Sequence, residues 1–324
     1  MNGEQRYALG FDIGGTNIVC GIVDREGDVV WTKKISTECE KGNDHVMERV
    51  ALLAGAALEE FGLTAQDVVG IGVGMPGLVD PEKGMSVYSS NLNFRNYPVV
   101  AKLQELTKLP VCMENDVRMY VYGEAVAGAG RGRRHVLGLT VGTGLASAMV
   151  NDGGLYQGGG DYSGELGHIP IPGVEYDCNC GLKGCLETVV SATGIARQAK
   201  EAVLSGKQTK LAELKADPAQ LTAADVSVAY DAGDEVAISI MELTGSMLGH
   251  ALAYAVPLFS PDMIVFGGGV LHAGERFMAP VREVLFANIM QIYRDRLELA
   301  VAERNEDAGV IGSAKWAFRC LADA

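Results

Sequence analysis

Apolar residues gather in three short runs at the start of the chain, 7–13, 17–24 and 29–35, separated by turn-forming glycine, aspartate and threonine. Such runs, punctuated this way, predict a three-stranded antiparallel meander. Residues 44–61 carry helical spacing of apolar positions, 69–74 and 111–113 read as short buried strands, and 117–126 as a helix. The pattern then starts again. YALGFDIGGTNIVCGIVD from Tyr7 aligns without a gap on HVLGLTVGTGLASAMVND from His135, and DMIVFGGGV from Asp262 echoes VVGIGVGMPG from Val68. Two matched pairs in the same order predict a duplicated unit, each copy opening with a strand, a glycine turn and a returning strand.

The second copy is interrupted by a long insertion, roughly 153–222. Helices at 234–259 and 275–292, a strand at 297–302 and a closing helix at 308–320 are expected after it. At 324 residues and 48% hydrophobic, the chain is long enough for two domains. The expected division is 1–117, completed by 308–324, and 118–307, with a hinge and no flexible tether near 115–117. No basic segment followed by an apolar run opens the chain, and no uninterrupted apolar stretch reads as long enough for a bilayer. A cytoplasmic protein without a membrane partner is therefore expected. A net charge of −14 argues against nucleic acid as a partner.

Several motifs carry candidate chemistry. Asp12-Ile13-Gly14-Gly15-Thr16-Asn17 is a tight turn between two strands. Its glycines let backbone N–H groups approach an anion, Thr16 adds a hydroxyl, and Asp12 suits Mg²⁺. An ordinary hairpin turn explains it equally well in isolation, but its duplicate, Gly142-Thr143-Gly144, makes a two-sided grip on a polyphosphate the better reading. Gly72, Gly74 and Gly77 satisfy the dinucleotide-binding spacing, yet Pro76 and the loop-like Leu-Val-Asp-Pro that follows leave no helix to receive a pyrophosphate. Glu114-Asn115-Asp116 ends a strand and opens a helix, so Asp116 suits either a helix cap or a general base. Gly268 and Gly269 form a third glycine turn, compatible with a plain connection or an adenosine contact.

Of seven cysteines, four are scattered. Cys178, Cys180 and Cys185 lie within eight residues, among glycines, and His168 precedes them. One imidazole and three thiolates suit a tetrahedral zinc site closed to water, hence structural. Such a site would also fix the flanking Glu165 and Glu187 as acceptors for hydroxyl groups.

These motifs, taken together with Gly164-Glu165-Leu-Gly-His168 and Cys178-x-Cys-Gly-x-x-Gly-Cys-x-Glu187, resemble the ROK family of repressors, open reading frames and kinases. The resemblance covers nearly the whole chain. It implies an α/β, duplicated actin-like (ribonuclease H-like) ATPase fold of two lobes with a cleft between them and a zinc loop in the larger lobe. It implies an ATP-dependent sugar kinase in which Asp12 and the glycine turns hold MgATP and Asp116 takes the proton of the attacking hydroxyl. It further implies that Asn91, Asn115, Asp116, Glu165, His168 and Glu187 line the sugar site. Three features depart from the family pattern: no tryptophan follows Asn91-Leu92, Ala146-Ser147 replaces a glycine-rich continuation, and Val117-Arg118 follows the Asn-Asp pair where small or amide residues are usual.

The expected substrate is a hexose phosphorylated at O6, glucose ahead of allose, N-acetylmannosamine and N-acetylglucosamine, and a homodimer is the default assembly. ROK repressors are the rival from another class. The acidic charge and the six residues before the first predicted strand disfavour an appended DNA-binding helix-turn-helix.

Overall fold

The computed structural model describes residues 6–321. In chain order its elements are β1 (Tyr7–Ile13), β2 (Asn17–Asp24), β3 (Val29–Ser36), α1 (Asn43–Phe61), β4 (Val68–Met75), β5 (Leu78–Asp80), β6 (Met85–Ser89), β7 (Phe94–Tyr97), α2 (Val99–Thr107), β8 (Val111–Asn115) and α3 (Asp116–Ala127). They continue with β9 (His135–Val141), β10 (Leu145–Asn151), β11 (Gly154–Leu155), α4 (Glu187–Val190), α5 (Ala192–Leu204), α6 (Leu211–Leu214), α7 (Ala223–Asp231), α8 (Glu235–Phe259), β12 (Met263–Gly267), α9 (Glu275–Ala287), α10 (Gln291–Arg294), β13 (Glu298–Val301) and α11 (Ala308–Leu321). The chain divides into two compact units. The first runs to Arg134 and adds 150–161 and the residues from Ala302 on; the second is 135–149 and 162–301.

In the first unit a sheet runs β3-β2-β1-β4-β8, antiparallel from β3 to β1 and parallel from β1 to β8. Strand periodicity sorts β1 into two faces. Leu9, Phe11 and Ile13 join the core with Val46, Met47 and Val50 of α1. Gly10 and Asp12 face α11: a Cβ on Gly10, or on Gly72 of β4, would run into the carbonyls of Val310 and Ser313. The glycines thus let α11 lie directly on the sheet, and the same parity sets the Asp12 carboxylate against Gly309 at the start of that helix.

In the second unit the order β10-β9-β12-β13 repeats the plan, with β9, β12 and β13 parallel. Its register is equivalent too: Leu9 pairs with Ile71 and Phe11 with Val73, as Leu137 pairs with Ile264 and Leu139 with Phe266. β1 and β9 share one sequence of buried and half-buried positions. The duplication is therefore structural.

Two expectations need correction. Residues 78–80 are not loop but β5, the edge of an antiparallel sheet β5-β6-β7; three residues are too few to show alternation. The helix expected over 275–292 stops at Asn288, whose side-chain amide donates to the Val284 carbonyl at 2.7 Å, while Arg294 takes the carbonyls of Ile289 and Ala287. These side chains satisfy the helix's terminal acceptors, so it ends without a glycine to mark the place. α8 is long and apolar enough to cross a membrane by length and composition, but Glu242 and His250 interrupt its apolar run and 56% of its most apolar window is buried. It is the central core helix of the second unit, with Gly245 and Gly249 letting α9 approach.

Candidate active site and metal centre

The β1–β2 turn is built by its backbone: Gly14 N–H donates to Asn17 O at 2.8 Å. It is buttressed by the chain after β3, where Thr37 N–H donates to Thr16 O at 2.9 Å and the Thr37 hydroxyl to Gly14 O at 2.6 Å. The Cys39 thiol reaches Gly15 O at 3.5 Å. A Cβ on Gly15 would meet the Asn91 backbone, so the structure brings Asn91 to this turn. An open cavity of about 680 Å³ is lined by Asp12, Gly14, Gly15, Thr16, Asn17, Lys34, Glu306 and Asp307 among others. Carboxylates, a glycine turn and a lysine together suit a cation-neutralised polyphosphate.

Asn115 is the N-cap of α3, its side-chain oxygen accepting from Val117 N (3.0 Å) and Arg118 N (3.2 Å) and its amide donating to Gly77 O (3.2 Å). The cap role therefore falls to Asn115, leaving Asp116 as the first helical residue. Burial raises the Asp116 carboxyl above the ordinary aspartate range, against the lowering effect of the Val117 N–H. Asp12 is pushed up to about 6, first by burial and then by the charge of Asp116. Two neighbouring carboxylates with raised proton affinity are poised for proton or cation binding.

In the second unit the Gly142–Gly144 turn is closed by Gly142 N–H to Gly144 O at 2.9 Å. The start of α5 supports it: Ala192 N–H donates to Gly142 O (2.8 Å) and the Thr193 hydroxyl to Thr143 O (2.9 Å). Glu187 accepts Leu145 N–H at 2.9 Å, directly after the turn. Gly268 has φ +92° and packs on Val141, a place where a side chain would be strained twice over. Beside Gly269 lies a cavity of about 210 Å³ lined by Ile195, Ser227, Val270 and His272 among others.

The structure gathers His168, Cys178, Cys180 and Cys185, their ligand atoms all within 4.8 Å of one another. Cys178 Sγ lies 3.6 Å from His168 Nδ1, and Cys180 Sγ 3.6 Å from Cys185 Sγ. Sulfurs about 2.3 Å from a tetrahedral zinc stand about 3.7 Å apart, so the cluster has the dimensions of a zinc site. Gly181 and Gly184, both at positive φ, turn the chain between the cysteines. The other edge of the imidazole, Nε2, faces Glu165 at 3.7 Å, and Glu187 Oε1 lies 3.8 Å from Cys178 Sγ. Both glutamates thus lie against the cluster, Glu165 at the imidazole and Glu187 at Cys178.

The ROK family pattern matches residues 8–319. The chain belongs to the ROK family. It is 37% identical to a glucokinase of Halalkalibacterium halodurans over 310 residues, 95% of this chain and 94% of that one. A ROK glucokinase of Streptomyces griseus, crystallised with glucose and AMPPNP, is 29% identical, superposes with a TM-score of 0.78, and covers 97% of this chain and 99% of its own. The ROK hexokinase of Thermus thermophilus is 28% identical with a TM-score of 0.83, covering 98% of this chain and all of its own.

Reading the sequence passed over several residues of this ROK chain that hold the site together. Thr37 is fully buried beneath the first glycine turn. Glu114, also fully buried, pairs with Arg118 at 3.2 Å and accepts from Gln157 at 3.0 Å. Buried polar residues at strand and helix ends were the available signal, since such groups persist only where partners exist.

Proposed function

We propose that this chain is an ATP-dependent kinase that phosphorylates glucose at its 6-hydroxyl. The observation that carries the reading is Asp116, a carboxylate of raised proton affinity at the first turn of α3, with Asp12 beside it in charge terms. The relatives named above, a glucokinase at 37% identity and a glucokinase structure holding glucose and AMPPNP, supply the substrate pair.

In this reading the glucose O6 attacks the γ-phosphorus of ATP, the bond from that phosphorus to the bridging oxygen breaks, and ADP leaves. Asp116 accepts the O6 proton as the new P–O bond forms. Asp12 would hold Mg²⁺, while the turns that the Gly14 and Gly142 N–H groups close present the N–H groups of Gly15 and Gly144, the hydroxyls of Thr16 and Thr143, and Asn17 to the phosphates. Gly268 and Gly269 pass close to the nucleoside. Such positioning and charge neutralisation supply most of the rate in phosphoryl transfer. Asn91, Asn115, Glu165, His168 and Glu187 contact the sugar hydroxyls. His168, Cys178, Cys180 and Cys185 hold a zinc ion, which supplies a cross-link that orders the loop and no chemistry.

A coupled assay of ADP release across glucose, allose, mannose, N-acetylmannosamine and N-acetylglucosamine tests the reading. Glucose is expected to give the highest kcat/KM. A higher value for an N-acetylhexosamine would move the assignment to that sugar, and ADP release independent of any sugar would overturn it.

A further inference from the structure

Two buried side chains, Arg118 and Ser147, hold the two ends of one short segment. Arg118, in the first turn of α3 and 7% exposed, donates from one arm of its guanidinium to Glu114 Oε1 and from the other to the carbonyl of Asp161. Glu114 in turn accepts from Gln157, so the same buried pair grips the chain at 157 and at 161. Ser147 on β10, 6% exposed, donates from both its hydroxyl (2.7 Å) and its backbone N–H (3.2 Å) to the carbonyl of Gly164. The segment 161–164 leads directly into Glu165.

What lies between needs holding. Gly158, Gly160, Asp161 and Gly164 all have positive φ, and Gly159 adds a further residue without a side chain. A run of this kind loses more backbone freedom on ordering than any other, and a non-glycine residue at φ +62°, as Asp161 has, adds strain. Local propensity therefore opposes the observed conformation. The contacts that fix it come from side chains anchored on α3 and β10, and these are charge-assisted or buried.

We propose that Arg118 and Ser147 are positioning residues that set the sugar affinity of this chain by fixing segment 161–164 and hence the place of the Glu165 carboxylate. The inference rests on the reading of Glu165 as a sugar contact. A carboxylate displaced by a fraction of an ångström loses its hydroxyl partner, and a polar group left without one discriminates against the ligand that was meant to supply it. Because both anchors act on the same four residues, releasing one forfeits most of what the other contributes.

The test is Arg118→Lys, Ser147→Ala and the double variant, measured two ways. Lysine keeps a cation against Glu114 but lacks the fork that reaches Asp161, so folding is retained. Hydrogen exchange of peptides spanning 157–168, without substrate, is expected to quicken in each variant; the glucose KM is expected to rise about tenfold in Arg118→Lys, as loss of one charge-assisted hydrogen bond implies, and about threefold to fivefold in Ser147→Ala, as loss of a neutral one implies. The ATP KM stays within about twofold, and the double variant raises the glucose KM by less than the product of the two single effects. A merely structural role would lower the melting temperature and leave the KM ratio alone. Unchanged exchange, unchanged glucose KM with faster exchange, or fully multiplicative effects would each overturn the proposal. A wild-type protein that phosphorylates no hexose would instead overturn the kinase reading, which the exchange data do not depend on.

Discussion

The charge of Asp116 raises the proton affinity of Asp12, so the two carboxylates of the first unit are electrostatically coupled. Burial is the larger cause, pushing Asp12 from 3.8 to about 6. A folded pKa above the unfolded one means that the folded protein binds this proton more tightly. The resulting stability is fully present below about pH 3.8 and lost as pH rises through about 6. Asp12→Asn should therefore be more stable than the wild type at neutral pH, by about 1–3 kcal/mol. Urea melts at pH 5 and pH 7.5 check this: the gap should be larger at pH 7.5.

The same shift predicts an acid limb in activity. Protonated Asp12 cannot hold a cation, so the KM for MgATP should climb as pH falls below about 6, with the glucose KM less affected. Initial rates over pH 5–8, with MgATP varied at saturating glucose and glucose varied at saturating MgATP, separate the two.

Removing the metal should act on the second unit at two levels. In the proposed zinc site His168 and the three cysteines would cross-link residues 168–185, and Glu165 and Glu187 lie against this cluster. Chelation is expected to release about one zinc per chain, lower the melting temperature and raise the glucose KM together. Zinc release that left stability and glucose KM untouched would contradict the assignment.

Glu187 and Glu165 should separate in mutants. Glu187 accepts the Leu145 N–H beside the Gly142–Gly144 turn, whereas Glu165 has no such link and its side chain is 60% exposed. Glu187→Ala is predicted to raise the KM for both ATP and glucose by about tenfold or more, since a buried N–H loses a charged acceptor. Glu165→Ala should raise that of glucose alone.

Much of this was legible in the chain because its signals are local. The glycine turns after β1 and β9, the repeated strand pattern and the cysteine spacing each fit within twenty residues, and the structure places them in equivalent registers. The metal-ligand cluster was readable because an imidazole and three thiols gathered within eighteen residues are rare by chance. What escaped was set by partners distant in sequence. Arg118 gave no sign that it grips the carbonyl of Asp161, nor Thr37 that it supports Gly14, because a hydrogen bond to a backbone carbonyl leaves no trace in the acceptor's identity. Asn115 was read as a sugar contact from resemblance, while its capping of α3 follows from the position where β8 hands over to the helix. β5 was missed because its pairing with β6, not its own composition, makes it a strand.

The central claim is that Asp116 takes the proton of the attacking hydroxyl, and Asp116→Asn tests it most directly. Turnover with saturating glucose and MgATP, alongside glucose affinity by calorimetry, gives the decisive pair of numbers. The account predicts a glucose Kd within about threefold of wild type and a kcat reduced at least about 100-fold, the usual worth of a general base. A variant that turns over within about tenfold of wild type would contradict it.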